Sequence, residues 1–372
     1  MEATLSKVTL STVVLKDLVT RSFKGSTMID LIPLSCLMEI KVKDKKLTVR
    51  TTDNSNFITT WADVDAEDFS MVVQSKLFMQ TISKITTETV TISVEENKVT
   101  IQGNGKYNMA LSTDADGSTI NIPEVQFTPV GGSKRISGED VRSILSYNKS
   151  CKAVSKEIPA TYNYYMDDRV IYTTNVFKAC RNPISMFESP VCLTPTLVDL
   201  IPSVCDADGV IVSQSEDMVK FESSVGVLYG KKCVPEDLEA FPSTGLNNVF
   251  AATTQNSIKL CREELLSLLD RMNLYVSTLE SNKVLVTFES DKVVFVSPST
   301  DSRESISYMK GSVLEGEAIS MPLDALSLKE MVTACDREEL NISVNSETGL
   351  RIQCGTEQSK MVDMLLCILV EG

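Results

Sequence analysis

The chain has 372 residues and a mass of 40.9 kDa, with 42% hydrophobic and 23% charged residues, so it is long enough for two or three domains and too apolar to be disordered. A formal charge of −14 excludes a protein that grips nucleic acid with its whole surface, although one locally basic face stays open. The complete lack of histidine removes the usual general base, the commonest zinc ligand and every histidine-dependent triad, which weighs against an enzyme.

In chain order, a short strand over residues 7–10 leads into a helix over 15–23, and the alternation of 38–43 and 47–50 about Asp44-Lys45-Lys46 predicts a hairpin. A strand over 69–73, a helix over 76–85 and a hairpin of 90–94 with 99–102 complete the first third. The order then repeats. The second third reads as a strand over 134–136, a helix over 139–147, a strand over 187–193, a helix over 195–204 and a hairpin of 210–212 with 218–221. The last third reads as a strand over 257–260, a helix over 263–274, a hairpin of 284–288 with 293–296, a strand over 318–321, a helix over 323–334 and a hairpin of 340–344 with 350–353. Equivalent helices recur roughly every 120 residues, the mark of an internal repeat, and Pro- and Gly-bearing connectors over 121–133 and 234–245 set the boundaries. An α+β protein dominated by antiparallel sheet is expected, with three repeated domains over 1–126, 127–245 and 246–372.

The ten cysteines show neither a C-x-x-C pair nor framework spacing, and read as reduced, mostly buried thiols of a cytosolic protein. Residues 1–14 lack a basic segment followed by an apolar one, and the longest apolar run is 364–370, so neither a signal peptide nor a membrane span is expected. The carboxylate pair Asp167-Asp168 falls in a predicted turn with no nucleophile beside it, where solvated side chains rather than acid–base catalysts are the rule. No metal or cofactor is expected.

Several strings carry a family resemblance. Leu47-Thr48-Val49-Arg50-Thr51-Thr52-Asp53 is a strand ending in Thr-Asp, Lys106-Tyr107-Asn108-Met109-Ala110-Leu111-Ser112-Thr113 reads as an edge strand, and residues 7–23 form an opening strand and helix. With the three-fold order and total length, these resemble the bacterial-type DNA sliding clamp, the DNA polymerase III beta subunit family. The chain departs from that family in two places. Thr174-Asn175-Val176-Phe177-Lys178-Ala179 stands where Thr-Asp-Gly-His-Arg-Leu is usual, and the end, Met364 to Gly372, replaces one rich in Met, Pro and Arg. A divergent, bacteriophage-encoded member fits these departures better than a housekeeping one.

The resemblance implies domains with sheets outside and two helices facing a central channel, in a non-enzymatic processivity factor that encircles duplex DNA without reading its sequence. Its implied partners are DNA polymerase, a clamp loader that would use ATP separately, and a second copy of the chain. Its place would be the bacterial cytoplasm or nucleoid, or that of a phage host. Sliding needs attraction to phosphates without base contacts, so the channel residues would be basic. Lys16, Arg21, Lys24, Lys84, Arg142, Lys149 and Lys152 are the candidates, on helices where basic residues slightly outnumber acidic ones. A partner-peptide pocket is implied at Tyr162, Thr174, Phe177, Ala179, Pro242, Ile368 and Leu369, where buried Leu or Phe side chains would contribute about 1.5–3 kcal/mol each. Closure of a head-to-tail homodimer is implied at Tyr107, Met109, Leu274, Tyr275 and Val276. The rival reading is a repeat-built structural or interaction protein that does not encircle DNA.

Overall fold

The computed structural model describes residues 6–27, 33–95, 97–114, 116–118, 120–254, 256–297, 305–310, 313–315, 317–354 and 361–369. The first third holds β1 (Ser6–Ser11), α1 (Thr12–Phe23), β2 (Leu37–Lys43), β3 (Lys46–Thr52), β4 (Asn56–Asp63), β5 (Phe69–Gln74), α2 (Ser75–Lys84), β6 (Thr89–Glu95), β7 (Lys98–Gln102) and β8 (Lys106–Ala110). The second holds β9 (Lys134–Ile136), α3 (Gly138–Ser143), α4 (Lys149–Cys151), α5 (Pro159–Tyr162), β10 (Tyr164–Met166), β11 (Ile171–Thr174), β12 (Lys178–Asn182), β13 (Val191–Leu193), α6 (Pro195–Leu200), β14 (Val210–Gln214), β15 (Met218–Glu222) and β16 (Gly226–Lys231). After α7 (Pro235–Glu239) and α8 (Ser243–Ala251) come β17 (Asn256–Cys261), α9 (Arg262–Met272), β18 (Lys283–Phe288), β19 (Lys292–Ser297), β20 (Ser305–Lys310), β21 (Val313–Glu315), β22 (Ile319–Asp324), α10 (Ala325–Ala334), β23 (Glu339–Asn345), β24 (Gly349–Cys354) and β25 (Val362–Leu366).

These elements gather into two compact units, one from residues up to Val141 with Thr196–Lys232, the other from Arg142–Pro195 with Cys233 onward. In the first unit a four-stranded sheet runs β1-β6-β7-β8 and an eight-stranded sheet runs β5-β2-β3-β4-β16-β15-β14-β9. In the second, a nine-stranded sheet runs β13-β10-β11-β12-β25-β24-β23-β17-β21 beside a four-stranded one, β20-β19-β18-β22. Neighbouring strands are antiparallel, as alternating patterns joined by short turns require. The β2–β3 turn places Asp44 and Lys45 at φ +50° and +61°, the twist that a two-residue hairpin needs.

The helices bury one stripe each. Leu15, Leu18 and Val19 of α1 recur at helical spacing and meet Val8, Ile40, Val49, Phe78 and Ile92 in the first unit's core, while the buried Ser22 hydroxyl donates to the Val49 carbonyl at 2.8 Å. In the second unit Leu265, Leu268, Leu269 and Met272 of α9 pack with Leu328, Met331 and Val332 of α10 over the inner faces of the sheets.

All six expected helices are present, with instructive differences. The helix expected over 139–147 continues to Cys151 through a five-residue π-helical stretch, Ile144–Asn148. The helix expected over 195–204 tightens into a 3-10 turn at Ile201–Ser203, where Pro202 cannot supply an α-helical N–H. The strand expected over 187–193 is reduced to β13, because Pro190 immediately precedes it. The connector over 234–245 is helical instead: Pro235 at the first position and Glu236 and Asp237 in the first turn favour α7, and α8 follows Pro242.

Candidate nucleic-acid and peptide interfaces

The basic candidates of the first unit occupy different settings. Lys24 follows α1 and Lys84 ends α2, both exposed, and Lys16 is half-exposed on α1. A cation in the last turn complements the helix dipole, so Lys84 is locally favourable whatever else it touches. Arg21 is engaged by the fold: Nε donates to Asp17 at 2.7 Å, and Nη1 donates to the carbonyls of Cys205 at 3.1 Å and Ser203 at 3.5 Å. It closes the end of the 3-10 turn, and its charge there is partly neutralised by Asp17.

In the second unit the π-helical stretch, α4 and α10 flank a groove of about 880 Å³. Lys149, Lys152, Lys178 and Lys329 all line it, opposed by Asp324 and Glu330. Lys178 is buried and ion-paired with Glu330, whereas Lys329 reaches Asp270 at 2.6 Å. Asp324 accepts from the N–H groups of Leu326 and Ser327 at 2.9 and 3.0 Å, capping α10. The groove's two carboxylates are thus engaged by protein partners, as are Lys178 and Lys329. Lys152 donates to the Ala153 carbonyl at 3.1 Å and lies 4.9 Å from the Tyr162 ring centre, with Lys156 also over that ring at 5.5 Å. Arg142 is exposed in the last turn of α3.

The 174–179 string makes a tight turn between β11 and β12. Asn175 Oδ1 accepts from the N–H groups of Phe177 at 3.1 Å and Lys178 at 2.8 Å, while Thr174 Oγ1 donates to the Lys178 carbonyl at 2.9 Å. That geometry forces Val176 to φ +80°, a region that glycine adopts freely and a β-branched residue does not. The turn presents Val176 and Phe177 outward, each 61% exposed, so Phe177 is a surface residue and not part of the core. The tail runs past it: the Cys367 N–H donates to the Phe177 carbonyl at 2.8 Å, and the Leu369 N–H to the Pro322 carbonyl at 2.9 Å. Ile368 and Leu369 are half-buried there.

Thr174 and Ala179 are the β11–β12 pair next to that turn and are both buried. Ala179 belongs to a small apolar cluster apart from the main core, formed by Tyr165, Tyr172, Phe241, Phe250 and Leu365. Tyr165 and Phe241 stack with ring centres 4.7 Å apart, and Tyr172 meets Phe250 at 6.2 Å. Burial pushes the phenol pKa values of Tyr165 and Tyr172 up. Phe241 and Phe250 come from the segment that carries α7 and α8, while Pro242 beside them is exposed. Sequence reasoning passed over this aromatic cluster and over Lys178. Its traces were the bulky Tyr164-Tyr165 pair in a short strand and two isolated phenylalanines in an otherwise polar connector.

The closure candidates also separate. β8 is an edge strand whose Tyr107 is exposed, whereas the Met109 side chain is buried in the first unit's core, leaving only its backbone at the edge. Leu274 is 74% exposed and Tyr275 partly so, in the turn that closes α9, and Val276 packs against the second unit's core. β20 is one edge of the second unit's four-stranded sheet. Among the described residues, no cluster of His, Cys, Asp and Glu could hold a metal ion, and no helix is long and apolar enough to cross a membrane.

Residues 13–119 match the family model for the DNA polymerase III beta subunit, N-terminal domain. Solved structures resemble the chain over nearly its whole length at low sequence identity. The DNA polymerase III beta subunit of Thermotoga maritima superposes with a TM-score of 0.83 at 15% identity, covering 98% of this chain and 100% of its own. That of Borrelia burgdorferi, in complex with a natural product, gives 0.84 at 14% identity over 99% and 100%. The sliding clamp of Pseudomonas aeruginosa bound to griselimycin gives 0.85 at 11% identity over 98% and 100%. A search of curated proteins by sequence finds no match. The fold is that of the bacterial sliding clamps, an α+β arrangement of antiparallel sheets and helices, in a highly diverged sequence.

Proposed function

We propose that this chain is a DNA polymerase processivity factor, a non-catalytic sliding clamp that closes as a head-to-tail homodimer around duplex DNA and tethers a polymerase. The observation that carries this reading is the beta-subunit family match over residues 13–119 continued by the same fold through 98% of the chain. In this reading the chain folds as three domains over 1–126, 127–245 and 246–372, and a separate loader opens the ring. Lys16, Lys24, Lys84, Arg142, Lys149 and Lys152 would supply the attraction to phosphates, while Lys178 and Lys329 are held in ion pairs with Glu330 and Asp270. Arg21 would act mainly through the fold. The acidic remainder of the chain would disfavour DNA elsewhere on its surface. Tyr107 with the backbone of Met109 on β8, Leu274, Tyr275 and the free edge of β20 would form the closing seams. Phe177, Ile368 and Leu369, together with Thr174 and Ala179 beneath them, would engage the partner peptide.

The test is native mass by light scattering across a dilution series, followed by retention on DNA circles. A species of twice 40.9 kDa that stays on closed circles after loading and leaves when they are cut is the expected result. A monomer at all concentrations, or equal retention on cut and closed circles, would overturn the ring.

A further inference from the structure

The residues assigned to partner docking pose a contradiction. Thr174 and Ala179 are each only 3% exposed, although a pocket that accepts a peptide must offer its walls. What covers this part of the sheet is the chain's own α7–α8 segment. The trough floor is Tyr165 on β10, Tyr172 on β11, Ala179 on β12 and Leu365 on β25, four adjacent strands of one sheet. Phe241 and Phe250 lie in it as two large apolar side chains delivered from a short segment, which is the chemistry a docking peptide would bring.

The segment is lightly attached. No residue of α7 is buried, and Phe250 alone is buried on α8, with Leu238, Leu246 and Val249 half-buried against the cluster. A few polar latches hold the segment: the Tyr172 hydroxyl donates to Asn247 Oδ1 at 2.5 Å, Arg351 Nη2 donates to the carbonyls of Phe250 at 2.8 Å and Val249 at 3.3 Å, Tyr165 hydrogen-bonds Ser243, and Asn163 Nδ2 donates to Asp237 at 3.4 Å. Arg181 and Arg351 further approach the Phe250 ring at 5.1 and 5.8 Å. By contrast, the sheet beneath is tied by a continuous ladder through β12, β25 and β24. Segments with few buried side chains open locally without unfolding the whole molecule.

We propose that residues 235–251 are a self-occupying strap, in which Phe241 and Phe250 fill the apolar trough and compete with a partner peptide offering two large apolar side chains. The proposal rests on the docking role given to this sheet above. Its consequence is that apparent affinity is the intrinsic affinity reduced by the fraction of molecules with the strap lifted. Loss of one anchoring ring raises that fraction.

Amide hydrogen exchange of the wild-type chain, alone and with a short synthetic peptide carrying adjacent Leu and Phe, tests this directly. Residues 235–251 are expected to exchange faster than β11, β12 and β25, and faster still when the peptide is bound. Phe250→Ala is expected to tighten the peptide by up to about tenfold, the limit when about a tenth of the wild-type population is open. A strap that exchanges only with the sheet, or is slowed by bound peptide, overturns the proposal even if Phe250→Ala fails to fold. A strap that opens freely while no peptide binds to either protein upholds its mobility and instead sinks the docking role of the trough.

Discussion

At the residue scale, Val176 holds a backbone conformation that suits glycine better than a β-branched residue. The string that this segment resembles has Gly where the sequence has Val, and the backbone takes φ +80° because Asn175 and Thr174 fold the turn around the Lys178 amide and carbonyl. A β-branched residue in that region costs on the order of 1–3 kcal/mol, and glycine avoids most of it while enlarging the entropy of the unfolded chain. Val176→Gly is therefore expected to raise stability by about 1 kcal/mol net, seen as an upward shift of the urea midpoint at unchanged slope. An unchanged or lower midpoint would mean that the turn stores no strain. The departure from the Gly-His of the resembled string was legible in the sequence, but the outward aim of Phe177 was not. Direction at a turn is set by hydrogen bonds to Asn175, which no hydrophobic pattern encodes.

At the scale of elements, the alternating hairpins and the six amphipathic helices were legible because each has a period that burial enforces. The strap was not. It contains Pro235, Pro242 and Gly245, and its helices are five and nine residues long with almost no buried face, so the signals of a loop outweighed those of a helix. Its energetics are tied to the tyrosines under it. Tyr165 and Tyr172 have phenol pKa values raised first by burial, and Tyr147 likewise, with a 2.6 Å hydrogen bond to Asp336 adding to the effect. A folded pKa above the unfolded value of about 10 means that the folded chain prefers the neutral phenol. The stabilisation is fully present below pH of about 10 and is lost as pH rises toward the folded values. Urea midpoints measured at neutral pH and again well above pH 10 should fall at the higher pH, and fall less in Tyr165→Phe and Tyr172→Phe. Equal alkaline losses in all three proteins would place the sensitivity elsewhere.

For the whole molecule, the proposed function poses the question of how a chain of net charge −14 would hold a polyanion. The second unit offers a partial answer, because Lys149, Lys152, Lys178 and Lys329 converge on one groove with the carboxylates Asp324 and Glu330, although Lys178 and Lys329 are held in ion pairs with Glu330 and Asp270. Charge converged in a concavity acts through a field that the acidic residues elsewhere screen only at distance. The repeat was legible as an order of elements, yet this convergence was not, since Lys178 and Lys329 belong to different thirds of the chain and meet only through tertiary packing. The proposed function makes the groove's lysines measurable. Each phosphate neutralised contributes about 0.9 to the slope of log affinity against log salt concentration. Lys149→Glu with Lys152→Glu is thus expected to lower that slope by about 2 on duplex DNA while leaving native mass unchanged. Because Lys152 also touches the Ala153 carbonyl and the Tyr162 ring, Lys149→Glu alone gives the cleaner comparison, and its slope should fall by about 1. An unaltered slope in both proteins would remove this groove from the path of the DNA and leave the exposed lysines of α1 and α2 to carry the attraction.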